Sequence, residues 1–207
     1  MSFNIVWHQR DLRIHDNPAL NAAASKPLIP IFIHQPSDNL DGSGGAAANW
    51  WLHHSLKSLM QDYQKLGTRL LVFKGSSETI FKMLREKISI DTLHFNVRYE
   101  PEFRKRDRLI VESLKSLGIQ CEWHEANYLI SPGKILNQTA KPYCVFTPFS
   151  KAVLSQKNFR SPLKSPPKLQ AHTLEGDSLE DLNLLPKINW AEGFSKVWLE
   201  NKYSSEE

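Results

Sequence analysis

Phe3-Asn4-Ile5-Val6-Trp7-His8-Gln9-Arg10-Asp11-Leu12-Arg13-Ile14-His15-Asp16-Asn17-Pro18 is the stretch that decides the fold. It opens on a strand-length apolar run, crosses a crowded polar loop and ends in Asn-Pro, an N-cap followed by proline at the first helical position. The alternation recurs along the chain. Further apolar runs lie at residues 28–34, 69–74, 92–96 and 119–124. Between them come helical stripes. Residues 46–66 carry Leu52, Leu56, Leu59, Met60 and Tyr63 and close at Gly67; 76–88 carry Ile80, Phe81 and Leu84; 101–117 carry Leu109, Ile110, Leu114 and Leu117 and close at Gly118. This order predicts an α/β fold: a doubly wound, Rossmann-like, five-stranded parallel sheet with flanking helices. Ligands of such sheets sit beyond the carboxyl ends of the strands, where the strand order reverses. The residues after the first, second and fourth runs are therefore the first candidates for a site.

After Glu125 the pattern changes. Residues 127–139 read as irregular backbone, and Thr147-Pro148 as an N-cap and N1 proline opening a short helix to about Gln156. Beyond Arg160 come Ser161-Pro162, Ser165-Pro166-Pro167 and Leu185-Pro186, an extended C-terminal linker lying over a surface, with Leu182, Leu184, Leu185 and Trp190 able to dock. With 207 residues, 41% of them hydrophobic, one good core is expected. The net charge of +4 is a mild excess without a basic stripe, so at most weak, salt-sensitive nucleic-acid binding is expected of the chain alone. Cys121 and Cys144 belong to no metal-binding motif, and Cys121 reads as a small core residue. His53 and His54, adjacent on a helix, point apart. No metal, no membrane span and no signal peptide are expected, and a cytoplasmic location is the default.

The polar loop after the first run crowds arginine, aspartate and histidine together, and it could bind a phosphate or a polar ring. The plain alternative is an Arg13–Asp16 ion-pair network with Asp16 or Asn17 as helix cap. No GxGxxG or P-loop pattern occurs. Gly42, Gly44 and Gly45 could cradle a phosphate at a helix N-terminus or form an ordinary surface loop. Asn96, Arg98 and Glu100 would face the same strand-end crevice as Arg10, where an amide and a carboxylate could bind the edge of a flat heteroaromatic ligand. Arg104, Arg106 and Asp107 read as solvated first turns of a helix. Trp50, Trp51, Phe32, Phe95 and Trp123 could touch a chromophore, although aromatics at such spacings are mostly core. No catalytic triad or nucleophile elbow stands out.

Val6 to Leu20 closely resembles the opening of the photolyase/cryptochrome family. The resemblance continues through Trp50-Trp51-Leu52-His53-His54-Ser55-Leu56, residues 96–107, Pro132-Gly133 and Lys141-Pro142-Tyr143-Cys144-Val145-Phe146-Thr147-Pro148-Phe149. Residues 185–194 and Trp198 are similar to that family's inter-domain linker. The resemblance implies a photolyase-type α/β domain over residues 1–160 and a linker over 161–207, with the C-terminal helical FAD-binding domain absent. FAD would be bound only by that missing domain, the chain's expected partner. Damaged DNA would be engaged only by the full-length protein.

The function it implies is that of the N-terminal antenna-binding domain of a deoxyribodipyrimidine photolyase, a lyase and flavoprotein of DNA repair that uses light on UV-induced pyrimidine dimers. The chain alone is expected to be catalytically inactive. Alternatives are a cryptochrome-type blue-light photoreceptor domain and a stand-alone nucleotide-binding module. The implied antenna chromophore is a deazaflavin, FMN or a reduced folate. On the matching positions, Arg10, Asp11, Ile33, His34, Leu52, Asn96, Arg98 and Glu100 are expected to line an internal pocket. Departures from the family pattern are His8 and Gln9 for Phe and Arg, Val97-Arg98 for Arg-Asp, Cys144 for a basic residue, and Phe103 where folate-binding members carry an acid.

Overall fold

A computed structural model of the chain describes residues 2–35, 45–156 and 159–199. Five strands alternate with helices: β1 (Ser2–His8), α1 (Pro18–Ala23), β2 (Leu28–His34), α2 (Ala46–Lys65), β3 (Leu71–Lys74), α3 (Ser77–Lys87), β4 (Ser89–Asn96), α4 (Pro101–Ser116) and β5 (Gln120–His124), followed by a short α5 (Phe146–Leu154). The strands pair in the order β3-β2-β1-β4-β5, and every pairing is parallel. This is the doubly wound sheet expected from the sequence, with its order reversing between β1 and β4. Among the described residues, no helix is long and apolar enough to cross a membrane.

The strands read as unbroken apolar runs because both faces of the sheet are covered. Val6, Leu28, Phe32 and Val72 pack with Leu20 of α1 and with Leu56, Leu59 and Tyr63 of α2. On the other face Ile5, Trp7, Ile31, Phe73, Leu93 and Phe95 pack with Phe81 and Leu84 of α3 and with Ile110 and Leu114 of α4. Pro30 is tolerated in a central strand because β2 pairs with β3 only from Ile31 onward. Asn17 caps α1, accepting a hydrogen bond from Leu20 N–H at 3.1 Å, with Pro18 in the first turn. Asp16 is not the cap. It turns through the left-handed region at φ 45° and pairs with Arg160. Gly42 and Gly44 lie outside the described residues. The helix expected from Thr147 starts at Phe146, with Val145 at the cap and no side-chain cap bond. Thr147 and Pro148 therefore lie inside its first turn, where proline is tolerated.

The C-terminal segment runs over the surface and contributes to the first core through Leu169, Leu179, Leu182 and Leu184. Leu185 and Trp190, also expected to dock, remain about half exposed. The segment also protects the edge of β3. Asp177 N–H donates to Val72 C=O at 2.8 Å, and Lys74 N–H donates to the Asp177 carboxylate at 2.7 Å. Gly176 makes this approach feasible, since a Cβ there would lie 2.6 Å from Val72 O.

The loop after β1 is held by one buried carboxylate. Asp11 Oδ1 accepts from Gln9 N–H at 2.8 Å, and Oδ2 accepts from Asn17 Nδ2 at 3.3 Å and from Asn96 Nδ2. Asn96 Oδ1 in turn accepts from Ala19 N–H, and Asn96 Nδ2 also donates to Asn17 Oδ1. The end of β1, the end of β4 and the start of α1 are thereby tied together. His8 adds a further tie. Its Nδ1 faces the Asp11 carbonyl at 3.1 Å and the Asp11 carboxylate at 3.6 Å, so Nδ1 carries a proton, while Nε2 lies 2.6 Å from the Tyr63 hydroxyl. Burial pushes the Asp11 pKa up, but the His8 contact and the bonds from Gln9 and Asn96 outweigh it and lower the carboxyl from 3.8 to about 2.

Two outcomes follow for stability. Asp11→Asn leaves buried donors facing an amide, and it should cost about 2–3 kcal/mol near neutral pH in urea unfolding. A carboxyl whose pKa is depressed on folding stabilises fully above its unfolded value and loses that contribution as pH falls through its folded value. The gap between wild type and Asp11→Asn should therefore shrink between pH 3.8 and about 2; a gap that stays constant down to that pH contradicts the assignment. Gly176→Ala should lift the C-terminal segment from β3, cost about 1–3 kcal/mol and speed proteolysis within residues 161–190. Unchanged stability and cleavage would count against the close approach.

Candidate functional site

The carboxyl ends of β1, β2 and β4 surround a cavity of about 210 Å³ at the point where the strand order reverses. Its walls come from Trp7 to Arg10 at the end of β1, Phe32 to Gln35 at the end of β2, Ala48, Asn49 and Leu52 of α2, Arg98 after β4, and Phe103 and Arg106 of α4. Each wall has a local cause. The parallel ladder ends at His8, His34 and Asn96, so the next residues leave the sheet together on one side. Pro101 starts α4 three residues after Arg98 and turns Phe103 and Arg106, one helical turn apart, toward the opening.

Of the residues expected from sequence, Arg10, Ile33, His34, Leu52 and Arg98 line this cavity. Asp11 and Asn96 lie behind it in the hydrogen-bonded network that shapes its floor. Glu100 stands at the rim, paired with Arg10 at 3.3 Å; both side chains are substantially exposed, so the pair contributes at most about 1 kcal/mol.

Arg98 sets the chemical character. It is only 7% exposed, and its guanidinium stacks 3.2 Å from the centroid of Phe103. Its Nε and Nη2 atoms are buried without a hydrogen-bond partner among the described residues. Desolvation, with the nearby Arg106 cation, lowers its pKa from 12.5 to about 10, which leaves it charged at neutral pH. A buried cation with unsatisfied donors is costly unless an anion or acceptor completes it.

Arg106 and Asp107 depart from the solvated helix start expected of them. Asp107 is buried and accepts from Gln9 Nε2 at 3.4 Å, and Arg106 donates to Gln9 Oε1 at 2.9 Å and lies 5.1 Å over the Trp7 ring. The Arg106 stem runs along apolar rings while its head reaches polar partners, a burial that composition does not reveal. Three guanidinium groups, of Arg10, Arg98 and Arg106, converge on Phe103 at 3.2 to 5.5 Å. The three-residue spacing of Phe103 and Arg106 was the signal for the second of these wall residues. Of the aromatics considered as chromophore contacts, Phe32 lines the cavity, Phe95 is core, and Trp123 is 65% exposed on β5.

A second hollow, almost wholly apolar, lies on α2. Ala47, Trp50 and Trp51 meet Trp190, Phe194 and Trp198 there, with Trp50–Phe194 and Trp51–Trp198 centroids 6.1 and 6.0 Å apart.

Comparison with known proteins agrees with this arrangement. The DNA photolyase family profile matches residues 4–169. A deoxyribodipyrimidine photo-lyase of Agrobacterium fabrum is 34% identical over 199 residues, covering 94% of this chain and 41% of its own length. Cryptochrome-1 of Arabidopsis thaliana is 30% identical over 206 residues, covering 93% of this chain and 30% of its own. A crystal structure of a bacterial class III photolyase from Agrobacterium tumefaciens superposes with a TM-score of 0.88 at 33% identity, over 96% of this chain and 42% of that one. The chain thus spans only about two fifths of the photo-lyase and about a third of the cryptochrome. With the profile covering most of its length and the sheet, strand order and switch-point cavity in place, the chain belongs to the DNA photolyase family.

Proposed function

We propose that this chain is the antenna-binding α/β part of a light-driven deoxyribodipyrimidine photolyase, and that the cavity at the strand ends takes part of a flat, anionic chromophore. The observation that carries this is Arg98, a buried cation stacked on Phe103 in the wall of the cavity, with two donors that have no partner among the described residues. A ring stacked on the arginine and phenylalanine planes, or an anionic tail on the guanidinium, would satisfy both. At about 210 Å³ the cavity holds one portion of such a ligand rather than all of it.

Of the three antenna classes, a flavin or deazaflavin fits best. The family places these inside the α/β domain near the strand ends, and Phe103 replaces the acid that folate-binding members carry. Bound there, the antenna supplies light absorption and passes excitation energy on. This chain's residues bind it, orient it and exclude water around it.

Residues 161–207 are proposed as the linker to a helical FAD-binding domain, since the Agrobacterium photo-lyase and the Arabidopsis Cryptochrome-1 are each more than twice the length of this chain. Repair of pyrimidine dimers, binding of damaged DNA and a cytoplasmic setting belong to that longer assembly. The match to Cryptochrome-1 keeps blue-light signalling as the second reading. Repair of dimers by the chain together with an FAD domain supports the photolyase reading, and light-dependent signalling without repair supports the cryptochrome.

The test is an absorbance and fluorescence titration with FMN, a deazaflavin and a reduced folate. Flavin or deazaflavin should bind at one equivalent, and Arg98→Ala should weaken binding by ~10- to 100-fold. A chain that binds none of the three has only a structural role, and one that binds an adenine nucleotide instead is a stand-alone nucleotide module.

A further inference from the structure

Away from the cavity, the outer edge of the sheet brings three ligand-type side chains together. The β4–β5 register sets His94 opposite Glu122 and Asn96 opposite His124. Neighbours in register share a face, and so do residues two apart on one strand, so His94, Glu122 and His124 leave the sheet on the same side. His94 Nδ1 lies 3.2 Å from His124 Nε2 and 3.5 Å from a Glu122 carboxylate oxygen. All three atoms fall within 4.8 Å of one another. The two imidazole rings are nearly parallel, at 24°.

We propose that His94, Glu122 and His124 form a binding site for a divalent first-row transition metal, with Zn²⁺ as its type. A tetrahedral ion with bonds of ~2.05 Å has ligand–ligand edges of ~3.3 Å, so the two shortest spacings already match two edges of that tetrahedron. Two imidazoles and one carboxylate suit zinc, copper or nickel; calcium and magnesium take oxygen ligands. Glu122 is 55% exposed on its side chain, so its carboxylate can swing to close the third edge.

The protonation states favour this chemistry. Burial lowers the pKa of His94 and of His124, with the Glu122 carboxylate opposing the effect at both. At His94 the neighbouring His124 and Lys26 also lower it and Asp91 raises it. Neutral imidazole is the ligating form. Without metal, one of the two facing nitrogens carries the proton of their shared hydrogen bond. On binding, that ring passes the proton to its other nitrogen, so no proton leaves, and the carboxylate cancels one of the ion's two charges. His94 Nε2, buried without a partner among the described residues, has no competing role. The ion would clamp the edge strand β5 onto β4, where only one ladder now holds it.

The site is independent of the antenna cavity and rests on the strand register alone. The experiment uses the 207-residue chain stripped with a chelator, titrated with Zn²⁺ against a chromogenic indicator and with Co²⁺ by visible absorption. One equivalent per chain and the ligand-field bands of a four-coordinate cobalt are expected. His124→Ala and Glu122→Gln alter half-buried and exposed positions, and each should weaken binding at least ~10-fold. The exposed His15→Ala should leave binding unchanged. Metal-free circular dichroism of each variant confirms that it is folded. No stoichiometric Zn²⁺, or equal affinity in the folded His124→Ala and Glu122→Gln proteins, overturns the proposal.

Discussion

The buried carboxylate of Asp11 is the constraint on which the rest of the site depends. A doubly wound sheet leaves a crevice at its reversal point whether or not it binds anything. What turns the crevice into a shaped cavity is that the loops bounding it cannot move apart. Asp11 does this by collecting donors from three separate elements: Gln9 N–H after β1, Asn96 at the end of β4, and Asn17 at the start of α1. The loss of hydration on burying a charge is offset only when such bonds are made together. Here they are, and together they hold the Asp11 carboxyl well below its usual range. His8, bridging Asp11 and the Tyr63 hydroxyl, extends the same network to α2, whose residues form the opposite wall.

Arg98 presents the opposite situation two residues along from Asn96. It too is buried, but two of its donors have no partner among the described residues. Satisfied polar groups such as Asp11 serve the fold, whereas an unsatisfied cation is the expected mark of a place where the fold concedes stability to a ligand. The contrast explains why neighbouring polar residues in one crevice divide into a rigid floor and a receptive wall. Arg106 and Asp107, locked to Gln9, hold α4 so that Phe103 lies flat beneath Arg98. The aromatic hollow on α2 is different in kind, lined among the described residues by Ala47, Trp50, Trp51, Trp190, Phe194 and Trp198 alone.

The strands and helices were legible because burial on both faces leaves continuous apolar runs, and Asn17-Pro18 marks its helix by side-chain chemistry alone. The start of α5 was misplaced by two residues because Val145 caps it without a side-chain bond, so no local signal exists. Of the eight site residues that the family resemblance implied, five line the cavity: Arg10, Ile33, His34 and Arg98 at strand ends, and Leu52 on α2. Asp11 and Asn96 were recognisable as strand-end polar groups, but which way each side chain turns is set by contacts across 85 residues of sequence. Arg106 and Asp107 looked like solvated charges because their partner, Gln9, lies 97 and 98 residues away. The His94–Glu122–His124 cluster has no motif spacing at all; it exists only through the β4–β5 register.

The central claim is that the strand-end cavity, and not the aromatic hollow on α2, is the ligand site, with Arg98 as its anchor. A crystal structure of the chain soaked with a deazaflavin or FMN tests it most directly. The account predicts density against Arg98 and Phe103, with an acceptor or anionic group within hydrogen-bond distance of Arg98 Nε and Nη2. Density seated instead between Trp50, Trp190 and Trp198, with the surroundings of Arg98 unchanged, would contradict it.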